Sequence, residues 1–286
     1  VAGIDRRLEK YDEAERVHRE AISIRRELVR ANDKDKGSII DLADSLNNLA
    51  GVLRYRENKA RAEQGGYQSQ SGKGPVWDEI ESLMVESSGL RKAALKPDHP
   101  LVLQSQLNVA NILFERGKAV EAIAIYEAAV QVQRQAYPDH LDTVRAIRNF
   151  GQIVQKLPRS TDASAERLRL AKSVSLLQEA RDLYLKKVPP EDTQLIQTRR
   201  WLAHALKSQA ETQGDMSGTT ASAVLAELNE VVAHLKPEPM PRTDRTTLVE
   251  DMVWALRILG ENERLKPWAK ELAELTAPAA AGEERK

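Results

Sequence analysis

Apolar residues return every three or four positions along almost the whole chain. Ala14, Val17, Ala21, Ile24 and Leu28 form one such stripe, and Leu42, Leu46, Leu49, Val52 and Leu53 another. Comparable stripes follow at Val109/Ile112/Leu113, Ile123/Tyr126/Val130, Val144/Ile147/Phe150/Val154 and Leu176/Ala180/Leu183. They continue at Leu202/Leu206, Leu225/Leu228/Val232, Leu248/Met252/Leu256 and Leu265/Trp268/Leu272. This spacing places each set on one side of a 3.6-residue helix, and alternating β-branched runs are absent. The pattern predicts about eleven helices of roughly 15 to 22 residues. Turns are marked by Pro beside Asp, Ser or Thr: Pro97-Asp98-His99-Pro100, Pro138-Asp139, Pro189-Pro190-Glu191-Asp192 and Pro241-Arg242-Thr243-Asp244. Short connections between amphipathic helices require antiparallel neighbours, so the expected fold class is all-α.

The helices also repeat. Tyr11-Asp12-Glu13-Ala14 and Val120-Glu121-Ala122 share a context in which a small residue recurs seven positions later, as Ala14/Ala21 and Ala122/Ala129. Ile80 and Ser87 fill the same two positions 42 residues before Ala122 and Ala129. On the other helix of each pair, Leu46-Asn47-Asn48-Leu49-Ala50 matches Leu107-Asn108-Val109-Ala110 and Ile147-Arg148-Asn149-Phe150-Gly151. Weaker echoes, Trp201-Leu202-Ala203 and Val253-Trp254-Ala255, lie 52 residues apart. A period near 42 made of helix–turn–helix units is the mark of a stacked array, because one hairpin buries its apolar face only against the next.

These residues resemble the tetratricopeptide repeats of kinesin light chains, whose units carry L-N-N-L-A, then G-x-Y-x-E-A-E, then D-H-P. The counterparts are Leu46-Asn47-Asn48-Leu49-Ala50, Lys10-Tyr11-Asp12-Glu13-Ala14-Glu15 and Asp98-His99-Pro100, with Gly117-Lys118 preceding Glu121-Ala122. The resemblance spans residues 4–56 and 78–156 and is only architectural over 165–276. It implies a right-handed α-solenoid of about five tetratricopeptide-like helical hairpins. The domain layout expected is repeats over 1–156, divergent hairpins over 157–276 and a disordered tail at 277–286. A Gly/Ser/Gln-rich insertion at 57–76 reads as a mobile loop, and Thr212–Ser222 as a second polar break.

Composition then removes most chemistry. Lys plus Arg number 43, equal to Asp plus Glu, so a general nucleic-acid binder is not expected. Cysteine is absent, which excludes disulfides, thiolate metal sites and a cysteine nucleophile. No apolar run is long enough for a membrane span, and the expected location is cytoplasmic. Gly66 to Gly74 has the look of a phosphate-binding loop, but the spacing is one residue too long and Gly74 stands where Ser or Thr is needed. His18, His99, His140, His204 and His234 form no metal-ligand spacing. His99 and His140 sit in turns where Asp98 or Asp139 is the expected helix cap, and the other three read as partly exposed helix positions. Carboxylates interleave with Arg and Lys as on a solvated face, and none is marked as buried. The reading is therefore non-enzymatic, with no cofactor and no metal.

Function is expected on the first helix of each hairpin, which lines the concave face of such an array. Asn48, Asn108 and Asn149 occupy equivalent positions, with Asn47, Asn111, Arg145 and Arg148 nearby. An amide offers both donor and acceptor, which suits the backbone of an extended peptide, and Arg favours acidic groups. The resemblance implies the same, since such Asn positions contact peptides in kinesin light chains. The alternative is that these amides bridge neighbouring helices. In later repeats Trp201 and Val253 replace Asn, so the groove is expected to turn apolar toward the C-terminus. The expected role is a scaffold that binds a protein or peptide segment. Two alternatives remain open at this point. The chain opens on Val1 within what reads as a helix under way, which fits the regulatory repeat region of a larger enzyme such as a bacterial serine/threonine protein kinase. Exposed Trp254 and Trp268 on the last hairpin would instead fit a self-associating homo-oligomer.

Overall fold

The computed structural model describes residues 11–63, 72–235 and 240–277. The opening residues before Tyr11, the centre of the Gly/Ser/Gln-rich stretch and the tail beyond Ala277 lie outside the described residues. Among the described residues there are eleven helices and no strand. They are α1 (Tyr11–Ala31), α2 (Lys36–Glu63), α3 (Pro75–Ala94), α4 (Pro100–Glu115), α5 (Ala119–Ala136) and α6 (Leu141–Lys156). The remainder are α7 (Ala163–Leu185), α8 (Thr193–Gln213), α9 (Gly218–Ala233), α10 (Arg242–Leu259) and α11 (Asn262–Thr276).

The chain divides into two compact units between Asp139 and His140, upstream of the change in repeat pattern at 157. In the first unit each of α1 to α5 packs on its sequence neighbour. In the second, α6 to α11 do the same, and α8 also touches α6 and α10. Alternate helices therefore form two layers, with α6, α8 and α10 in one of them.

The stripes become the core. Leu42, Leu46, Leu49, Val52 and Leu53 of α2 are all buried, as are Val144, Ile147, Phe150 and Val154 of α6. The small-residue register holds, since Ala14, Ile80 and Ala122 are each fully buried. Gly151 shows why that position is small in α6. A Cβ there would lie 2.8 Å from the Leu177 side chain of α7, while the Gly151 carbonyl accepts the Ser173 hydroxyl at 2.9 Å.

Four expectations are corrected. In α1, Ile24 and Leu28 are 54% exposed, because this helix is held on one flank by α2 and buries only Ala14 and Ile22 completely. Helix α2 runs 28 residues, so positions 57–63 of the supposed loop are helical. The far end of that stretch is tied down as well: Gly72 is buried and donates its N–H to the Glu115 carbonyl at the end of α4 at 2.9 Å. Thr212–Ser222 is mostly helix, interrupted by a tight turn in which Asp215 accepts from the Ser217 amide and the Thr220 hydroxyl. Finally, His99 and His140 themselves cap α4 and α6. Each Nδ1 accepts an amide at 3.2 Å, from Leu101 and Asp142 respectively. The imidazole occupies the last non-helical residue, where an acceptor reaches the first turn, and the preceding Asp is one residue too early.

Candidate peptide-binding faces

In the first unit the candidate residues lie on α2 and α4. Buried stripes fix the rotation of both helices, and this leaves Asn48 exposed with Asn47, Asn108 and Asn111 half-buried. Asn108 Nδ2 donates to Asn47 Oδ1 at 2.8 Å, joining the two helices directly. Arg54 and Glu115 join them again further along. Asn111 is engaged elsewhere: its Oδ1 accepts the hydroxyl of Tyr126, a fully buried residue of α5, at 2.7 Å. The structure thus pairs Asn47 with Asn108, leaves Asn48 beside them and turns Asn111 to the next helix. Donor counting shows what the pair retains. An amide has two N–H donors and an acceptor oxygen, so the single bond from Asn108 to Asn47 uses a small part of their joint capacity.

In the second unit the candidates are on α6. Arg148 is 9% exposed and its guanidinium reaches Asn149 Oδ1 at 2.8 and 3.2 Å, Gln194 Oε1, and Gln197 Oε1 at 3.3 Å. It binds α6 to α8. Arg145 is exposed and pairs with Asp142 at 2.6 Å, one turn back on its own helix. On α8, Trp201 is half-buried between two cations, with Lys156 Nζ 4.9 Å and the Arg200 guanidinium 5.9 Å from its ring. Val253, by contrast, is buried among the residues of the last hairpins and lines no open face. The expected apolar drift of the groove thus holds at most for Trp201, and that ring is flanked by charge.

Three buried carboxylates escaped the sequence, each compensated by cations. Asp251 on α10 is 0% exposed and meets His204 Nδ1 at 3.0 Å and Lys207 Nζ at 3.0 Å, both on α8. His204 is a partly exposed helix residue, as expected, and in addition pairs with the buried Asp251. Glu227 on α9 holds Arg181 of α7 and Arg199 of α8. Glu166 on α7 accepts from Arg169 at 2.6 and 2.9 Å and from the Ser160 amide at 3.0 Å. The Arg169 bonds outweigh burial and hold the Glu166 carboxyl down at about 2. Only Glu166–Arg169, three apart on one helix, had a signal in the sequence. The other partners lie 28 to 47 residues apart. Such clusters tie helices together.

Among the described residues no group of His, Asp and Glu is arranged to hold a metal ion, and no helix is long and apolar enough to cross a membrane. On the last hairpin, Trp254 and Trp268 are half-buried against the α9–α10 core, with Arg245 5.5 Å from the Trp268 ring.

Comparison with known proteins follows the same lines. Tetratricopeptide repeat models match residues 101–168 and 1–32. No curated protein matches the sequence. Among solved structures, BtubC (BKLC) from P. vanneervenii is similar over 96% of both chains, with a TM-score of 0.64 and 12% identity. A Podosopora anserina protein designated a kinesin light chain, with nearly identical TPR-like repeats, is similar over 80% of this chain and 98% of its own. Its TM-score is 0.51 and its identity 16%. At such identities the likeness is one of fold.

Proposed function

Given tetratricopeptide repeats in a fold of the kinesin light chain-like type, we propose that this protein is a non-catalytic scaffold that binds a partner segment along the face of its first helices. Repeats of this kind commonly mediate protein–protein contacts. The observation that carries the finer reading is the Asn47–Asn108 pair with exposed Asn48 beside it on α2 and α4. A fixed amide pair with spare donors and acceptors holds a ready geometry for a peptide backbone, which lowers the ordering cost of binding. The second unit, taken by itself, presents exposed Arg145 and half-buried Asn149 on α6, a cation and an amide that suit acidic groups on a segment bound there.

The test is capture of a partner from native lysate by the wild type and by the Asn48→Ala/Asn108→Ala/Asn149→Ala variant. A protein held by the first and lost by the second, at unchanged helicity, is the expected result. Equal capture by both would move binding off these amides.

A further inference from the structure

The register makes Ala14, Ile80 and Ala122 equivalent on α1, α3 and α5, alternate helices of the first unit. Between α1 and α3 runs a groove of about 520 Å3, floored by Ile22, Leu49 and Leu83. Two ion pairs span it. Arg19 reaches Glu79 at 2.6 and 3.1 Å, and Arg26 reaches Glu86 at 2.8 and 2.9 Å. Both partners advance by seven residues from one bridge to the next, so α1 and α3 run parallel and the bridges stand about 10 Å apart.

The next groove, between α3 and α5, is its counterpart, with a volume of about 430 Å3. Carrying the register forward, Arg19 becomes Val85, Glu79 becomes Glu121, Arg26 becomes Lys92 and Glu86 becomes Ala128. Each bridge has lost one end. Val85, 51% exposed, stands where Arg19 faced Glu79, and Ala128 where Glu86 faced Arg26. Lys92 and Glu121 are both exposed and have no ion-pair partner among the described residues. Beside Lys92, and within a turn of Glu121, the groove is lined by Gly89, at which an added Cβ would meet nothing within 4 Å, with Ala124 and Ile125 opposite and Ser88, Gln106 and Val109 completing it. The same element of architecture is thus closed by charge in one repeat and left open in the next.

We propose that the α3/α5 groove is a docking site for an amphipathic helix of a partner protein, one that carries an acidic side chain two turns away from a basic one with apolar residues between. The acid meets Lys92, the base meets Glu121, and the apolar stripe lies over Val85, Gly89 and Ile125. The open positions dictate the spacing: Val85 and Lys92 are seven residues apart, about 10 Å along a helix, which a helical ligand matches with its own i and i+7 positions. This site lies apart from the amides of α2 and α4, and its test separates the two.

The test is a display selection of 16-residue helix-forming peptides against the full chain, followed by affinity measurements on variants. Enrichment of an acid and a base seven apart around apolar residues is expected. Those peptides should bind at least tenfold more weakly to Val85→Arg/Ala128→Glu, which restores both bridges. Gly89→Leu, which fills the groove without bridging it, should weaken them equally. Both variants alter exposed positions, and unchanged circular dichroism would verify their fold. The Asn48→Ala/Asn108→Ala/Asn149→Ala variant should leave this binding unchanged. Undiminished binding to the two groove variants, peptides lost only on the Asn variant, or no enrichment would each overturn the proposal. So would a dimer of the chain itself that Val85→Arg/Ala128→Glu dissociates, since the occupant would then be a second copy.

Discussion

A single atom decides the packing at Gly151. With Leu177 at 2.8 Å from the place a Cβ would take, Gly151→Ala forces α6 and α7 apart or pushes Leu177 off its rotamer. Overpacking of that kind costs about 1–3 kcal/mol, which should appear as a lower urea midpoint. Charge decides at Asp251. Replacing it by Ala leaves Lys207 and His204 beside a buried gap, and breaking a buried pair in this way costs about 3–5 kcal/mol. Asp251→Ala should accordingly be the more damaging of the two in the same urea series. Glu166 gives a pH signature instead. Its folded-state carboxyl titrates at about 2, below the ordinary 4.5, so its contribution is fully present above pH 4.5 and is lost as the pH falls toward 2. Glu166→Gln should flatten the acid limb of the stability profile in that window, whereas Gly151→Ala, which removes no titratable group, should lower the profile without changing its slope there.

At the scale of elements, the starts of α4, α6, α7, α8 and α9 are each set by one capping side chain. Asp192 accepts the Gln194 and Leu195 amides at 2.8 and 3.1 Å, and Asp192→Ala should cost about 1 kcal/mol with fraying confined to the start of α8, visible by amide exchange. Helix existence was legible from periodicity, because buried Leu, Ile and Val at three and four spacing leave one solution. Helix ends were less so: the Pro-Asp-His turns marked the right places, yet the capping group was one residue later than expected. The length of α2 was hidden because Lys59, Ala60 and Arg61 carry helix propensity without an apolar stripe. The candidate face was legible as a row of Asn positions, but not the fact that Asn47 and Asn108 bond across helices, since partners 61 residues apart leave no trace in local pattern. Buried Asp251 and Glu227 were hidden for the same reason.

At the scale of the molecule, each compact unit is built from contacts between helices adjacent in sequence, and the final helix α11 contributes no fully buried residue. Leu265, Trp268, Leu272 and Leu275 only lean on the α9–α10 core, while Pro267 removes one helical hydrogen bond from α11 itself. Sequential packing has a consequence for how the chain comes into being. A strand-paired domain must wait for its distant partner to be translated, whereas here each hairpin can settle on the one that left the ribosome before it. Within a unit, nascent segments need little protection against wrong pairing, and α11 comes to rest on a surface that α9 and α10 have already built.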